Sequence, residues 1–371
     1  MALWRKINSI SRRESMGVLP IQRLRELQGE YITDVGESFL NPASIDMPLS
    51  NEAFRLESVF FPEENLMIRD MFEIVGARPH DLVNPLEVGV AYLIRVDGSW
   101  SLPESAYGYA NPKSSSGRVN LFCRLMADGV DMYDFLPKGW KGECWMFVRP
   151  DSFPIILHPG LAVAQLRVFD SKEFLSETDM EVAVRNRGLL FDGAQQKIPF
   201  RELHLHGDSL YLTLAVGENF GYECRGLYKP LDFGAIGAHD PADYFVPIGA
   251  PLGRYTLRKG NFYILSTFER VMVAPGHSAE LRPVDPRLGE FRSHAAGYID
   301  PGWGFGANGE VCGRPITLEV IPHEDFSVRN GQPIGRLRYE RMSSEPDTNY
   351  DASPSNYLVQ EGPRLSKHFK T

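Results

Sequence analysis

Apolar residues along this chain fall in many short stretches. The clearest lie at 87–96, 143–148, 161–168, 210–215, 262–265 and 316–320. Turn residues separate them, and 34 glycines and 27 prolines are on hand to make the turns. Short strands at regular spacing with this punctuation predict a mainly β fold. Helical periodicity is sparse. Residues 21–27 suit a turn or two of amphipathic helix, and 170–183 could hold another.

The apolar pattern also repeats. Residues 156–168 and 326–339 each read as a glycine-containing turn followed by a strand that ends in apolar-Arg-apolar alternation, around Arg167 in one and Arg338 in the other. Upstream, Lys138-Gly139-Trp140 answers Pro301-Gly302-Trp303. Turn-and-strand units recurring in the same order predict two copies of one β domain. The expected division is an extension at 1–16, a first domain at 17–185, a second at 186–340 and a tail at 341–371. From Tyr339 onward Ser, Asn, Asp and Pro are frequent, so the tail reads as mobile.

Bulk properties narrow the functional class. The 371 residues are 43% hydrophobic and 23% charged, enough for a sizeable core. A net charge of −9 argues against a general nucleic-acid or anionic-membrane surface, though not against a local basic pocket. Cys123, Cys144, Cys224 and Cys312 lie far apart, as buried thiols in a reducing compartment would. No apolar run approaches the roughly 18 to 20 residues of a membrane span. The first fifteen residues carry Arg5, Lys6, Arg12 and Arg13 but no secretory apolar stretch, and Met16 would serve equally well as a start. A cytoplasmic protein is the expectation.

Candidate chemistry is split between the halves, so the site is expected where the halves, or two chains, meet. Lys113-Ser114-Ser115-Ser116-Gly117-Arg118 offers three hydroxyls, two cations and a glycine, a set suited to phosphate oxygens. On composition alone, a solvated turn is the commoner use of such a cluster. Glu319 interrupts the apolar run Ile316-Thr317-Leu318-Glu319-Val320. Burial there would raise its pKa and suit proton transfer near neutrality, while a solvent-facing edge strand is an equally good account. Ile299-Asp300-Pro301-Gly302-Trp303 reads as a hairpin, or as the wall of a sugar or base site with Trp303 as an apolar plate. His204-x-His206 has ligand spacing on a strand but no convincing third ligand, so no protein-bound metal is expected there.

Taken together, these segments resemble the dCTP deaminase family of the dUTPase-like superfamily. The likeness is carried by Asn41-Pro42-Ala43-Ser44-Ile45-Asp46, Ser114-Ser115-x-x-Arg118, the 299–303 hairpin, Glu319 in its strand, and Tyr357-Leu358-Val359-Gln360-Glu361-Gly362-Pro363. It spans about residues 17–367. The resemblance implies tandem dUTPase-like β-clip domains with few short helices. It also implies hydrolytic deamination of dCTP to dUTP and ammonia, feeding dUTP and dTTP supply. Glu319 would be catalytic. Lys113, Ser114, Ser115 and Arg118 would hold a triphosphate carrying Mg²⁺, and backbone at Ala296 would meet the base edge. Asp300 and Trp303 would line the deoxyribose, with Tyr357 and Gln360 closing over the phosphates. Homo-oligomers and dTTP as an inhibitor are further expectations.

The zinc deaminases need His-x-Glu and Pro-Cys-x-x-Cys, and neither occurs in this chain, so zinc is not expected. The first copy has Phe147 where the glutamate would fall and Leu136-Pro137 in place of Ile299-Asp300. The second has Arg282-Pro283-Val284-Asp285-Pro286-Arg287 against the serine loop, keeping an arginine but losing both serines. One copy would thus donate phosphate binding and the other catalysis. Gly297-Tyr298, where the family often has His-Arg, and a long glycine-rich loop at 304–314 depart from the pattern. The competing functions are a dUTP pyrophosphatase or a bifunctional enzyme releasing dUMP, with Asp300 aiming the water, and a non-catalytic nucleotide sensor.

Overall fold

The structure is a computed structural model that describes residues 16–226, 229–288, 291–293, 297–352, 357 and 360–370. Ala296 therefore lies outside the described residues. Strands dominate and helices are few, the main ones being α1 (Ile21–Leu27), the one-turn α2 (Ser114–Gly117) and α3 (Glu177–Asn186). The two helical segments read from the sequence correspond to α1 and α3. Ser176 starts α3 with a reciprocal capping pair to Asp179.

Seven strands organise the first half: β1 (Ser44–Arg55), β2 (Tyr92–Val96), β3 (Tyr107–Pro112), β4 (Leu121–Ala127), β5 (Phe135–Leu136), β6 (Cys144–Pro150) and β7 (Ala162–Phe169). Their spatial order is β4-β6-β2-β1-β7-β3-β5. The second half supplies β8 (Ser209–Leu214), β9 (Tyr263–Val271), β10 (His277–Pro283), β11 (Phe291–Ser293), β12 (Tyr298–Ile299), β13 (Arg314–Pro322) and β14 (Gln332–Arg341). These pair in the order β11-β13-β9-β8-β14-β10-β12. Each strand of the first order is replaced by the one seven places later, so the two halves share one antiparallel topology.

The register agrees residue by residue. Tyr92 lies opposite Val148, and its hydroxyl accepts the backbone N–H of Glu87 at 3.0 Å. Tyr263 lies opposite Val320 and accepts from the N–H of Arg258 at 2.8 Å. Each tyrosine thus accepts from the residue five places upstream. Equating Val148 with Val320 equates Phe147 with Glu319. Phe147 is buried edge-on against Phe122, with ring centres 5.7 Å apart. The first copy fills this position with apolar packing.

The cores do not divide cleanly at the boundary between copies. The first core gathers Leu231, Phe233, Tyr244, Phe245, Phe262 and Phe369 from the second half and tail, and Ile155–Ile156 pairs in parallel with Leu231–Asp232. Arg167 also joins the halves. It is fully buried, pairs with Glu340, and donates from Nε to Asn111 Oδ1 at 2.9 Å.

The described part of the tail departs from the composition reading. Gln360, Ser366, His368 and Phe369 are all buried. Ser366 Oγ donates to the Ser115 carbonyl at 3.0 Å, and Phe369 packs edge-on against Tyr244 and Phe245. A few well-placed apolar and hydrogen-bonding side chains dock this segment although its average composition is polar. Among the described residues no helix is long and apolar enough to cross a membrane.

Candidate active site

A cavity of about 540 Å³, counting its open mouth, lies between the two copies of a single chain. The first copy lines it with Ser114, Arg118 and Gln165, and the second with Asp300, Trp303, Thr317 and Glu319. Tyr350 and Tyr357 complete it from the tail segment. The phosphate-type loop and the buried carboxylate, far apart in sequence, thus face one space.

Glu319 reaches this space because β13 is an interior strand, paired with β9 on one side and β11 on the other. Alternation sends Ile316, Leu318 and Val320 into the second core and turns Thr317 and Glu319 toward the cavity. Glu319 is 3% exposed, which removes the solvent-facing edge-strand account. Burial pushes its carboxyl up to about 8, against the opposing pull of Arg118. Arg118 Nε stands 4.0 Å from Glu319 Oε1, an ion-pair distance without a hydrogen bond.

Arg118 follows the single turn of α2 and is itself 3% exposed. Tail residues hold it. Its Nη2 donates to Gln360 Oε1 at 3.1 Å and its Nη1 to the Arg364 carbonyl at 3.2 Å. The Tyr357 ring lies 3.8 Å from the guanidinium carbon. Gln360 in turn donates to the Pro315 carbonyl at 2.7 Å, tying the tail to the start of β13.

Asp300 follows β12 in the turn that Gly302 closes at φ +93°; a β-carbon there would come within 2.6 Å of Asn349. Burial, followed by the neighbouring Asp46, pushes the Asp300 carboxyl up to about 7, while Lys113 and Arg167 oppose the rise. Among the described residues, four buried atoms of side chains lining the cavity have no hydrogen-bond partner in the protein: Arg118 Nε, Tyr298 Oη, Asp300 Oδ1 and Trp303 Nε1. Buried polar groups are normally paired, so donors and an acceptor left open in one cavity suit a polar ligand.

The remaining predicted residues stand just outside this wall. Lys113 is ion-paired with Asp46, Ser115 is buried beneath Ser366, and Gln360 acts through Arg118. Gln165 and Thr317 were missed by sequence reasoning. Gln165 accepts from Ser44 Oγ at 2.7 Å, which fixes it against the cavity. Ser44 belongs to the same Pro-Ala-Ser-Ile-Asp stretch as Asp46, and that stretch was the available signal. Gly297 and Tyr298, the departures from the family pattern, also line the cavity.

Comparisons with known proteins bear on the family and the fold. Residues 15–172 match the N-terminal domain of 2'-deoxycytidine 5'-triphosphate deaminase, and residues 185–369 match its C-terminal domain. Curated protein sequences gave no match. Among solved structures, 2'-deoxycytidine 5'-triphosphate deaminase from Agrobacterium tumefaciens is similar, with a TM-score of 0.82 and 30% identity. The likeness covers 90% of this chain and 97% of that one. Both domain matches fall in order along a chain that shares its fold with nearly all of a solved deaminase, and the chain belongs to the dCTP deaminase family.

Proposed function

We propose that this protein converts dCTP to dUTP and ammonia by hydrolytic attack at C4 of cytosine, with Glu319 moving the protons. The observation that carries the reading is a fully enclosed glutamate in the same cavity as an arginine and serine of a phosphate-type loop. Transfer of a phosphoryl group would not call for a carboxylate buried in an apolar strand. Deamination needs one group that first accepts a proton and then gives it back.

In this scheme the ionised Glu319 takes a proton from water as the oxygen bonds to C4. Glu319 passes that proton to N3. It then takes the second water proton from the new C4 hydroxyl and delivers it to the amine, so that the tetrahedral centre collapses to the C4 carbonyl and releases ammonia. A carboxyl held near 8 is ionised in roughly one molecule in ten at pH 7, so it can act in both directions. Arg118 beside it favours the ionised form.

Ser114, Ser115, Arg118 and Lys113 would bind the triphosphate, which enters as its Mg²⁺ complex. Ala296 would offer backbone groups to the base, and Asp300 and Trp303 would border the sugar. Tyr357 and Gln360, already engaged with Arg118, would close over the phosphates. Gln165 joins the substrate-facing set.

A second reading, hydrolysis of dUTP to dUMP, draws on Asp300, whose open Oδ1 could aim water at phosphorus. Incubation with Mg²⁺ and either dCTP or dUTP, followed by chromatography, separates the cases. Accumulation of dUTP from dCTP supports deamination. Appearance of dUMP transfers the weight to Asp300, and bound dCTP without product would make the protein a sensor.

A further inference from the structure

A second cleft, of about 790 Å³ counting its open mouth, runs between β3 and β7 of the first copy and β10 and β14 of the second. It shares no lining residue with the Glu319 cavity. One wall is aromatic. Tyr107 and Phe169 stack with ring centres 5.1 Å apart and planes 8° from parallel, and Phe135 lies 6.0 Å from Tyr107. The other wall is charged.

Four cations line the cleft (Arg167, Lys172, Arg282 and Arg338) against two carboxylates, Glu280 and Glu340, which leaves a net charge of +2. The carboxylates are already engaged. Arg167 takes Glu340, and Arg338 Nη2 donates to Glu280 Oε2 at 3.0 Å. Arg282 stays 3.7 Å from Glu280, and Lys172 ends over the Phe174 ring rather than on an acid. Among the described residues, two buried polar atoms at this cleft, Arg338 Nε and Tyr107 Oη, have no hydrogen-bond partner. Arg338 is itself only 6% exposed, so this open donor is built into the wall. Burial raises the Tyr107 phenol to about 12, which keeps it a donor at neutral pH.

We propose that this cleft is a second ligand site, taking a planar aromatic dianion of nucleoside monophosphate size. The ring would lie along Tyr107 and Phe135, and the phosphate would reach Arg282, Lys172 and the open edge of Arg338. The part that water-sized groups can occupy, about 330 Å³, lies at the lower end of the usual range for small-molecule pockets. Occupancy would be felt in the Glu319 cavity through Arg167, whose guanidinium sits 4.6 Å from the Tyr298 ring that lines that cavity.

The test is calorimetric titration of the full chain with uridine 5'-monophosphate, with uridine as the control lacking phosphate. The expected result is one saturable site per chain for the monophosphate and binding at least ten-fold weaker for uridine. The double substitution Lys172→Ala/Arg282→Ala should weaken the monophosphate at least ten-fold, while Ser114→Ala leaves it unchanged. Lys172 is exposed and the Arg282 side chain is 42% exposed, so this pair can be removed with the fold intact, as a melting curve would verify. Absence of binding at millimolar monophosphate overturns the proposal. So does an isotherm that the double substitution does not weaken, or one that Ser114→Ala abolishes, because the probe would then be occupying the Glu319 cavity.

Discussion

Replacing Glu319 by Gln keeps the shape and hydrogen-bonding capacity of the side chain and removes its ionisation. The native carboxyl is raised from 4.5 to about 8, so the native state holds a proton that the unfolded chain gives up in this interval. Below pH 4.5 both states are protonated and the stability contribution of the group is complete. It is lost as pH rises toward and through 8. At about 1.4 kcal/mol per pH unit, the loss is about 1 kcal/mol at pH 5 and about 5 kcal/mol at pH 9. The Gln variant has no such loss. Its stability relative to the parent should therefore grow by about 4 kcal/mol between pH 5 and pH 9. Urea unfolding of both proteins, followed by tryptophan fluorescence across this range, measures the difference while other titrating groups cancel. Parallel stability curves would refute the claim that this carboxyl is held neutral by burial.

Activity should follow the same group. Glu319→Gln is expected to abolish dUTP formation while dCTP binding persists, and full turnover by this variant would remove Glu319 from the mechanism. In the proposed mechanism the ionised form starts the reaction, so kcat/KM for dCTP should climb between pH 6 and 8 and level off above an apparent pKa near 8; a profile flat over that range would contradict a buried base. Ser114→Ala should raise KM about ten-fold, equivalent to one hydrogen bond to a charged group of about 1.4 kcal/mol, with kcat largely kept. Gln360→Leu leaves Arg118 Nη2 and the Pro315 carbonyl without their partner; a loss of about 1–3 kcal/mol is expected in chemical unfolding, with a higher KM in kinetics. Phe147→Glu in the first copy should create no second active site, since the strand register places Asp285 and Pro286 where the first copy has Ser114 and Ser115. A doubled dCTP stoichiometry in that variant would contradict the division of labour between copies.

Much of the architecture follows from local pattern. The short apolar runs became β2, β6, β7, β8, β9 and β13, and the two sparse helical signals became α1 and α3. The repeat was legible because Arg167 and Arg338 mark the same place in equivalent strands, opposite Tyr109 and Glu280 respectively. The unusual placement of Glu319 was also legible, because a carboxylate between Leu318 and Val320 conflicts with its neighbours. Its meaning was not. A strand with one polar residue fits an edge as well as an interior, and only pairing on both sides made it a buried carboxylate.

The sequence by itself determined the strand-rich fold, the doubling and the chemical inventory, because these depend on side-chain alternation, turn residues and motif order over short spans. Tertiary structure alone decided that Ser114, Arg118 and Glu319 meet inside one chain, and that Gln165 joins them through Ser44. It also decided that a polar tail is pinned by Gln360, Ser366 and Phe369. The physical reason is distance along the chain. Arg118 and Glu319 are 201 residues apart, and no local propensity acts over that span. What joins them is the packing of two like domains and the desolvation that this packing imposes on the groups between them.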